Sequence, residues 1–185
     1  MPISSNDSAA VCRRARELLT GGDFASPLVR TAGQVGEAVP VLHPDGGLHS
    51  WFVPITVDGR IAGFFQLLPD QTLLRYSTFQ RHDDSLDGCP PAASWLDREA
   101  ILGRIHEKKR PDETVGPLFL SYDRTPDRLA WAAVLTTARG ATRTLYTSGR
   151  AVWEATDRTD DSFGGPGVPE VNRRLSAALF GGKMS

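Results

Sequence analysis

The chain has 185 residues, of which 40% are hydrophobic and 23% are charged, a balance typical of a soluble globular protein. Twenty-one basic and 22 acidic side chains leave a formal net charge of −1, which provides no overall positive field for nucleic acid or an anionic membrane. These values exclude a collagen, a coiled coil, a membrane span and a protein that binds nucleic acid by net charge.

The first half of the chain is predicted to form a helix followed by four strands. The apolar residues of the helix recur at the spacing of one face: Val11, Ala15, Leu18 and Leu19. After Gly21-Gly22 the apolar period changes to two, which predicts strands over Glu37–His43, Leu48–Thr56, Ile61–Leu68 and Thr72–Phe79. The Asp58-Gly59 pair between two of these runs favours a type I′ hairpin, because both central residues of that turn need positive φ.

The second half repeats this order of elements. Ser94-Trp95-Leu96-Asp97 resembles a capping box in which Asp97 replaces the usual Glu, and Pro111 stops the helix that it opens. Four more strands are predicted over Pro117–Asp123, Leu129–Thr137, Ala141–Ser148 and Ala151–Thr156. A third helix, over Val171–Phe180, is predicted behind a linker rich in Gly and Pro.

The two series of strands match when the sequence is shifted by 80 positions. The shift aligns Trp51 with Trp131 and Ile55 with Leu135, and it keeps the turns in step. An internal duplication is therefore predicted, giving an α+β fold of two units, each a helix followed by a four-stranded antiparallel meander. The predicted boundaries are 1–81 for the first unit, 82–93 for a linker, 94–157 for the second unit, and 158–185 for a flexible linker with the C-terminal helix.

The longest run of this pattern, Trp51-Phe52-Val53-Pro54-Ile55-Thr56-Val57-Asp58-Gly59-Arg60, leads through a strand pair into Leu73-Leu74-Arg75-Tyr76. It resembles PepSY-type modules, which have a cystatin-like arrangement of a curved sheet wrapped on a helix. The resemblance covers residues 8–80 and 94–157, implies a tandem of two modules and carries no catalytic signature. Modules of this type mostly lie outside the cytoplasmic membrane, some as inhibitory segments of peptidases. The polar segment Met1–Ala10 has no apolar region typical of an export signal, which predicts a cytoplasmic protein instead.

Bulky apolar residues fall on both faces of the first predicted sheet, with Trp51 on one face and Phe52 on the other. One helix of about three turns is too small to cover both faces. Stacked sheets, the C-terminal helix or an open groove for a ligand would each account for this. In the second unit the small residues Ala130 and Ala132 oppose Trp131, which allows close approach of a covering element and favours a cover from the same chain.

Few residues suggest catalysis or metal binding, since the motifs of nucleotide-binding loops, zinc proteases and nucleophile elbows are missing from the sequence. His49, His82 and Asp84 would form a metal site or an acid–base group only if the strand ends meet, and otherwise they are solvated loop residues. His43 and His49 flank the first hairpin turn, across which they would face each other. We predict no metal and no cofactor. Cys12 and Cys89 are interpreted as small apolar residues, and the sequence leaves their pairing open.

Aromatic and Arg side chains dominate binding hot spots, which makes four residues candidates for partner contact: Trp51, Phe64, Tyr76 and Arg75. The alternative is that they belong to the core and its rim. The preferred hypothesis is a non-catalytic accessory or regulatory module that binds a protein or peptide, for example by strand addition. The alternatives are a small cystatin-like enzyme, of the cyclase, isomerase or hydrolase kind, and a homodimer formed through the C-terminal helix. No nucleic-acid or membrane partner is predicted.

Overall fold

The computed structural model describes residues 5–155. Within this range the helices are α1 (Ser5–Gly21), α2 (Pro27–Ala32), α3 (Ala92–Leu96) and α4 (Arg98–His106). The strands are β1 (Gln34–Val35), β2 (Val39–Leu42), β3 (Leu48–Val57), β4 (Arg60–Leu67), β5 (Leu73–Thr78), β6 (Glu113–Val115), β7 (Phe119–Tyr122), β8 (Leu129–Thr137), β9 (Thr142–Ser148) and β10 (Ala151–Glu154). The predicted linker and helix of residues 158–185 lie outside the described residues.

All ten strands of the described residues belong to one sheet, which is mostly antiparallel. Its order is β10-β9-β8-β7-β2-β3-β4-β5, with β1 paired to β3 and β6 paired to β8. The two sets of strands meet at β2 and β7, which run parallel with Val41 opposite Leu120. The α+β class is therefore confirmed. The two sheets do not stack, because they join edge to edge into a single sheet.

Several local predictions need correction. Each half contains a fifth strand, β1 or β6, whose two or three residues are too few to show a period. Helix α2 was not predicted, although Ser26 caps it by accepting a hydrogen bond from the Val29 amide. The predicted capping box is wrong, because Asp97 itself caps α4 and Ser94 lies inside the separate helix α3.

The β3–β4 hairpin has the predicted turn and also holds the segment between the two halves. Asp58 and Gly59 have φ values of 48° and 72°, as a type I′ turn requires. The amide of Ile61 donates to the carbonyl of Pro90 at 2.9 Å, and that of Ala92 donates to the carbonyl of Gly59 at 2.8 Å. The segment 82–93, predicted as a spacer, is thus bonded at its C-terminal end to the first half.

The strand register of the first half recurs 80 positions later in the second. Gln34 lies opposite Thr56 in β1 and β3, and Thr114 lies opposite Thr136 in β6 and β8. In the same way, the pair Val39–Phe52 corresponds to Phe119–Ala132. The pair Val53–Phe65 corresponds to Ala133–Leu145. The match ends near the β3–β4 turn, where a register shift follows Ile55.

Both faces of the first half are covered by other parts of the chain. On one face Phe24, from the α1–α2 connection, packs edge-on against Phe65 with the ring centroids 6.5 Å apart. On the opposite face Trp95 of α3 stacks on Phe52 with the centroids 6.4 Å apart. Trp95 belongs to the segment that follows β5 in the chain.

The second half is covered differently on its two faces. On one face Ile105 of α4 packs with Ala133, Leu135 and Leu145. On the other face the apolar cluster consists, within residues 7–155, of strand residues alone: Ala130, Ala132, Tyr146, Phe119 and Trp153. None of the helices in the described part of the chain has the length and apolar character to cross a bilayer.

Candidate functional site

Polar side chains of β3, β4 and β5 form a hydrogen-bonded network in the first half of the sheet, next to its outer edge. Gln66 of β4 is fully buried, and its Nε2 donates to Ser50 Oγ at 2.7 Å. The Oε1 atom of Gln66 accepts from Arg75 Nε at 2.7 Å. Ser50 Oγ in turn lies 2.8 Å from His49 Nδ1. Buried polar groups are costly unless they are satisfied, so these bonds fix the relative positions of β3, β4 and β5.

Arg75 connects this network to the second half of the chain. Its Nη1 lies 2.6 Å from Asp127 Oδ1, and its Nη2 donates to the Pro126 carbonyl at 3.1 Å. The guanidinium also lies over the Phe64 ring, 5.6 Å from the centroid. Burial lowers the pKa of Arg75, and the charge of Asp127 opposes that effect. The β7–β8 turn, which carries Asp127, therefore holds the outer strand β5 in place.

The other end of the network is a cluster of two imidazoles and a phenol. The rings of His43 and His49 pack edge-on with centroids 4.9 Å apart, so the predicted facing of these residues is confirmed. His43 Nδ1 lies 2.6 Å from Tyr122 Oη. Tyr122 ends β7 and His43 follows β2, so this hydrogen bond reinforces the parallel junction between the halves.

Stability is expected to fall in two steps as the pH decreases. Burial, together with the charges of His43 and Arg75, lowers the pKa of His49 below its usual value of 6.5. The stability that neutral His49 contributes is therefore fully present above pH 6.5 and is lost as the pH falls through the lowered pKa. Arg143 Nε lies 2.6 Å from Glu113 Oε1 and lowers the pKa of Glu113 from 4.5 to about 2. The contribution of Glu113 is therefore lost between those two values.

Thermal unfolding of the wild type and of His49→Gln across the acid range checks this expectation. The variant should lose the upper step and keep the lower one, which belongs to Glu113. Identical profiles for the two proteins would show that His49 does not set the upper step.

The structure does not gather His49, His82 and Asp84 into a metal site. His82 and Asp84 are exposed in the loop after β5, and no group of three or more His, Cys, Asp or Glu residues suited to a metal exists among the described residues. His49 instead faces His43 and Tyr122. Tyr122 was not predicted to join His43, because the two residues lie 79 positions apart in the chain.

The four candidates for partner contact lie in or beside the core. Trp51, Phe64 and Tyr76 are buried, with exposed fractions of 1%, 0% and 8%. Arg75 lies at the rim, where 15% of its side chain is exposed. Cys12 and Cys89 are both free thiols, and burial raises the pKa of Cys89.

The outer edge of β5 is a second feature of this site, because β5 is the last strand in the order formed by residues 5–155. The amide of Phe79 donates to the Ala62 carbonyl at 2.9 Å. Backbone groups alternate in an antiparallel ladder, so Ser77 also bonds toward β4, whereas Tyr76 and Thr78 present their N–H and C=O groups outward. Leu74 beside them is 41% exposed, the largest exposed fraction for a bulky apolar side chain in the described part of the chain.

The opposite edge of the sheet, β10, has four residues, whereas β5 has six. The longer edge offers more backbone groups to a second strand.

Comparison of the chain with models of known protein families, with curated proteins and with solved structures finds no match.

Proposed function

We propose that the protein is a non-catalytic module that binds an extended peptide or protein segment by adding it as a strand to β5. The observation that supports this most is the outer edge of β5, which pairs with no further strand in residues 5–155 and from which the backbone groups of Tyr76 and Thr78 are directed away from the sheet. In strand addition such groups supply the hydrogen bonds, and neighbouring side chains supply specificity. Leu74 offers an apolar contact to the added strand.

The polar network supports the same proposal because it holds the edge rigid before binding. Arg75 is fixed on its inner side by Gln66 and by Asp127 of the β7–β8 turn. A strand that is already ordered loses less conformational entropy when a partner pairs with it.

The two halves are proposed to have arisen by duplication of one helix-plus-meander unit. The recurrence of the register after 80 positions supports this. Trp51 and Trp131 are both buried at equivalent positions of β3 and β8. The resemblance to PepSY-type modules and the cytoplasmic, accessory role remain predictions within this proposal.

Replacing Leu74 with Lys is expected to weaken peptide binding at least tenfold, because a charged side chain at the edge opposes pairing with an apolar strand. Peptides are first selected from a random display library against the full chain, and their affinities are then measured by titration calorimetry. Val134→Lys is the matched control, since Val134 is 36% exposed on the inner strand β8 and should leave the affinity within twofold.

Amide chemical-shift mapping locates the selected peptides on the protein. The proposal expects the largest changes at Leu74, Tyr76 and Thr78. It fails if no peptide is enriched over an unrelated sheet protein, or if the shifts cluster away from β5.

A further inference from the structure

We propose that the C-terminal segment, residues 156–185, packs within the same chain on the face of the second half that none of the described helices α1 to α4 covers. The surface concerned is a line of cross-strand partners, here named the aromatic row: Phe119, Ala132, Tyr146 and Trp153. This inference goes beyond strand addition at β5, since it concerns the other half of the sheet and a different occupant.

The aromatic row is an apolar surface of the kind that proteins cover. Tyr146 and Trp153 stack with their ring centroids 6.0 Å apart and their planes 22° apart. Phe119 and Trp153 are only half-buried, and Trp153 is oriented by donating from Nε1 to Asp123 Oδ2 at 3.0 Å. Within residues 7–155, the cluster around the row contains strand residues only.

The first half shows which part of the chain covers the equivalent surface. Phe52 pairs with Gln66 as Ala132 pairs with Tyr146, 80 positions further on. Phe52 is covered by Trp95, which belongs to the segment that follows the last strand of its half. By the same arrangement, the segment that follows β10 would cover Ala132. That segment is 30 residues long and starts two positions after the end strand that carries Trp153.

The sequence of the segment fits this surface. Its apolar residues recur at helical spacing: Val171, Leu175, Ala178 and Leu179. The 80-position shift places Leu175 at the position of Trp95. Ala130 and Ala132 on the sheet are small, so a covering element can approach the backbone closely.

The connection is also long enough. The aromatic row spans three strand spacings, roughly 14 Å. The polar stretch 157–169 has an average end-to-end distance of roughly 20 Å if it behaves as a flexible linker. Attachment to the same chain then gives the segment a high effective concentration at the row, which favours it over a second copy.

The test is the double substitution Leu175→Ser/Leu179→Ser in the full chain, observed by two-dimensional NMR. The four Trp side chains give separate indole signals. The signals of Trp153 and of the Ala132 amide should move, while the indole of Trp51 stays in place and shows that the core is intact. Arg173→Ser/Arg174→Ser is the matched control, and it should leave all of these signals unchanged.

Sedimentation of both proteins identifies the occupant. A wild-type monomer whose Trp153 signal is independent of concentration supports packing within one chain. A wild-type dimer that the Leu175→Ser/Leu179→Ser variant dissociates overturns the inference in favour of a second copy. Unchanged Trp153 and Ala132 signals in that variant overturn it as well.

Discussion

Replacing Trp131 with Ala is expected to lower the free energy of unfolding by about 3–5 kcal/mol, the usual cost of removing a large aromatic side chain from a core. Trp131 of β8 is 3% exposed and packs with the core of the first half. Its Nε1 donates to the Trp95 carbonyl at 2.7 Å, and the Arg98 guanidinium lies over its ring at 5.4 Å. The substitution therefore leaves a cavity where the two halves share their packing.

Urea unfolding followed by circular dichroism measures this effect. The wild type should unfold in one transition, because the largest apolar cluster contains residues from both halves. Trp131→Phe is the matched control, since it keeps most of the apolar volume and loses only the hydrogen bond and part of the ring. Two separate wild-type transitions, or a loss below about 1 kcal/mol for Trp131→Ala, would show that the halves are stabilised independently.

Replacing Gln66 with Leu is expected to lower the free energy of unfolding by about 2–3 kcal/mol, because buried groups lose their hydrogen-bond partners. Ser50 Oγ loses its donor, and Arg75 Nε loses its acceptor. The looser β5 should also bind selected peptides more weakly. Chemical denaturation and titration calorimetry measure the two effects on the same preparations.

Gln34→Leu serves as the control for this substitution, since Gln34 is exposed on the short strand β1. It should change the stability by less than about 0.5 kcal/mol, as surface substitutions usually do. A Gln66→Leu protein as stable as this control would show that the network does not hold β5.

The sequence predicted the long strands closely because their apolar residues alternate and their turns contain Gly, Pro or Asp. The strand Leu129–Thr137 agrees with its predicted bounds at both ends. The parallel junction of β2 and β7 could not be predicted in the same way. Both strands have four residues, and the pairing of Val41 with Leu120 joins positions far apart in the chain.

The candidate site was only partly predictable for a related reason. The hairpin turn placed His43 beside His49, whereas His82 and Asp84 remain exposed in their loop. Gln66 is a polar residue near the end of β4, and polar residues usually lie at solvent-facing positions. The burial of Gln66 depends on segments distant in sequence that cover the sheet, and the local sequence pattern does not predict where those segments pack.

Amide hydrogen exchange of the full chain tests most directly whether β5 is an open binding edge. Without a partner, the Tyr76 and Thr78 amides should exchange quickly while the Ser77 amide, which bonds toward β4, is protected. Addition of a selected peptide should protect all three. Strong protection of Tyr76 and Thr78 in the unbound protein would show that the edge is already paired, and it would contradict the proposed function.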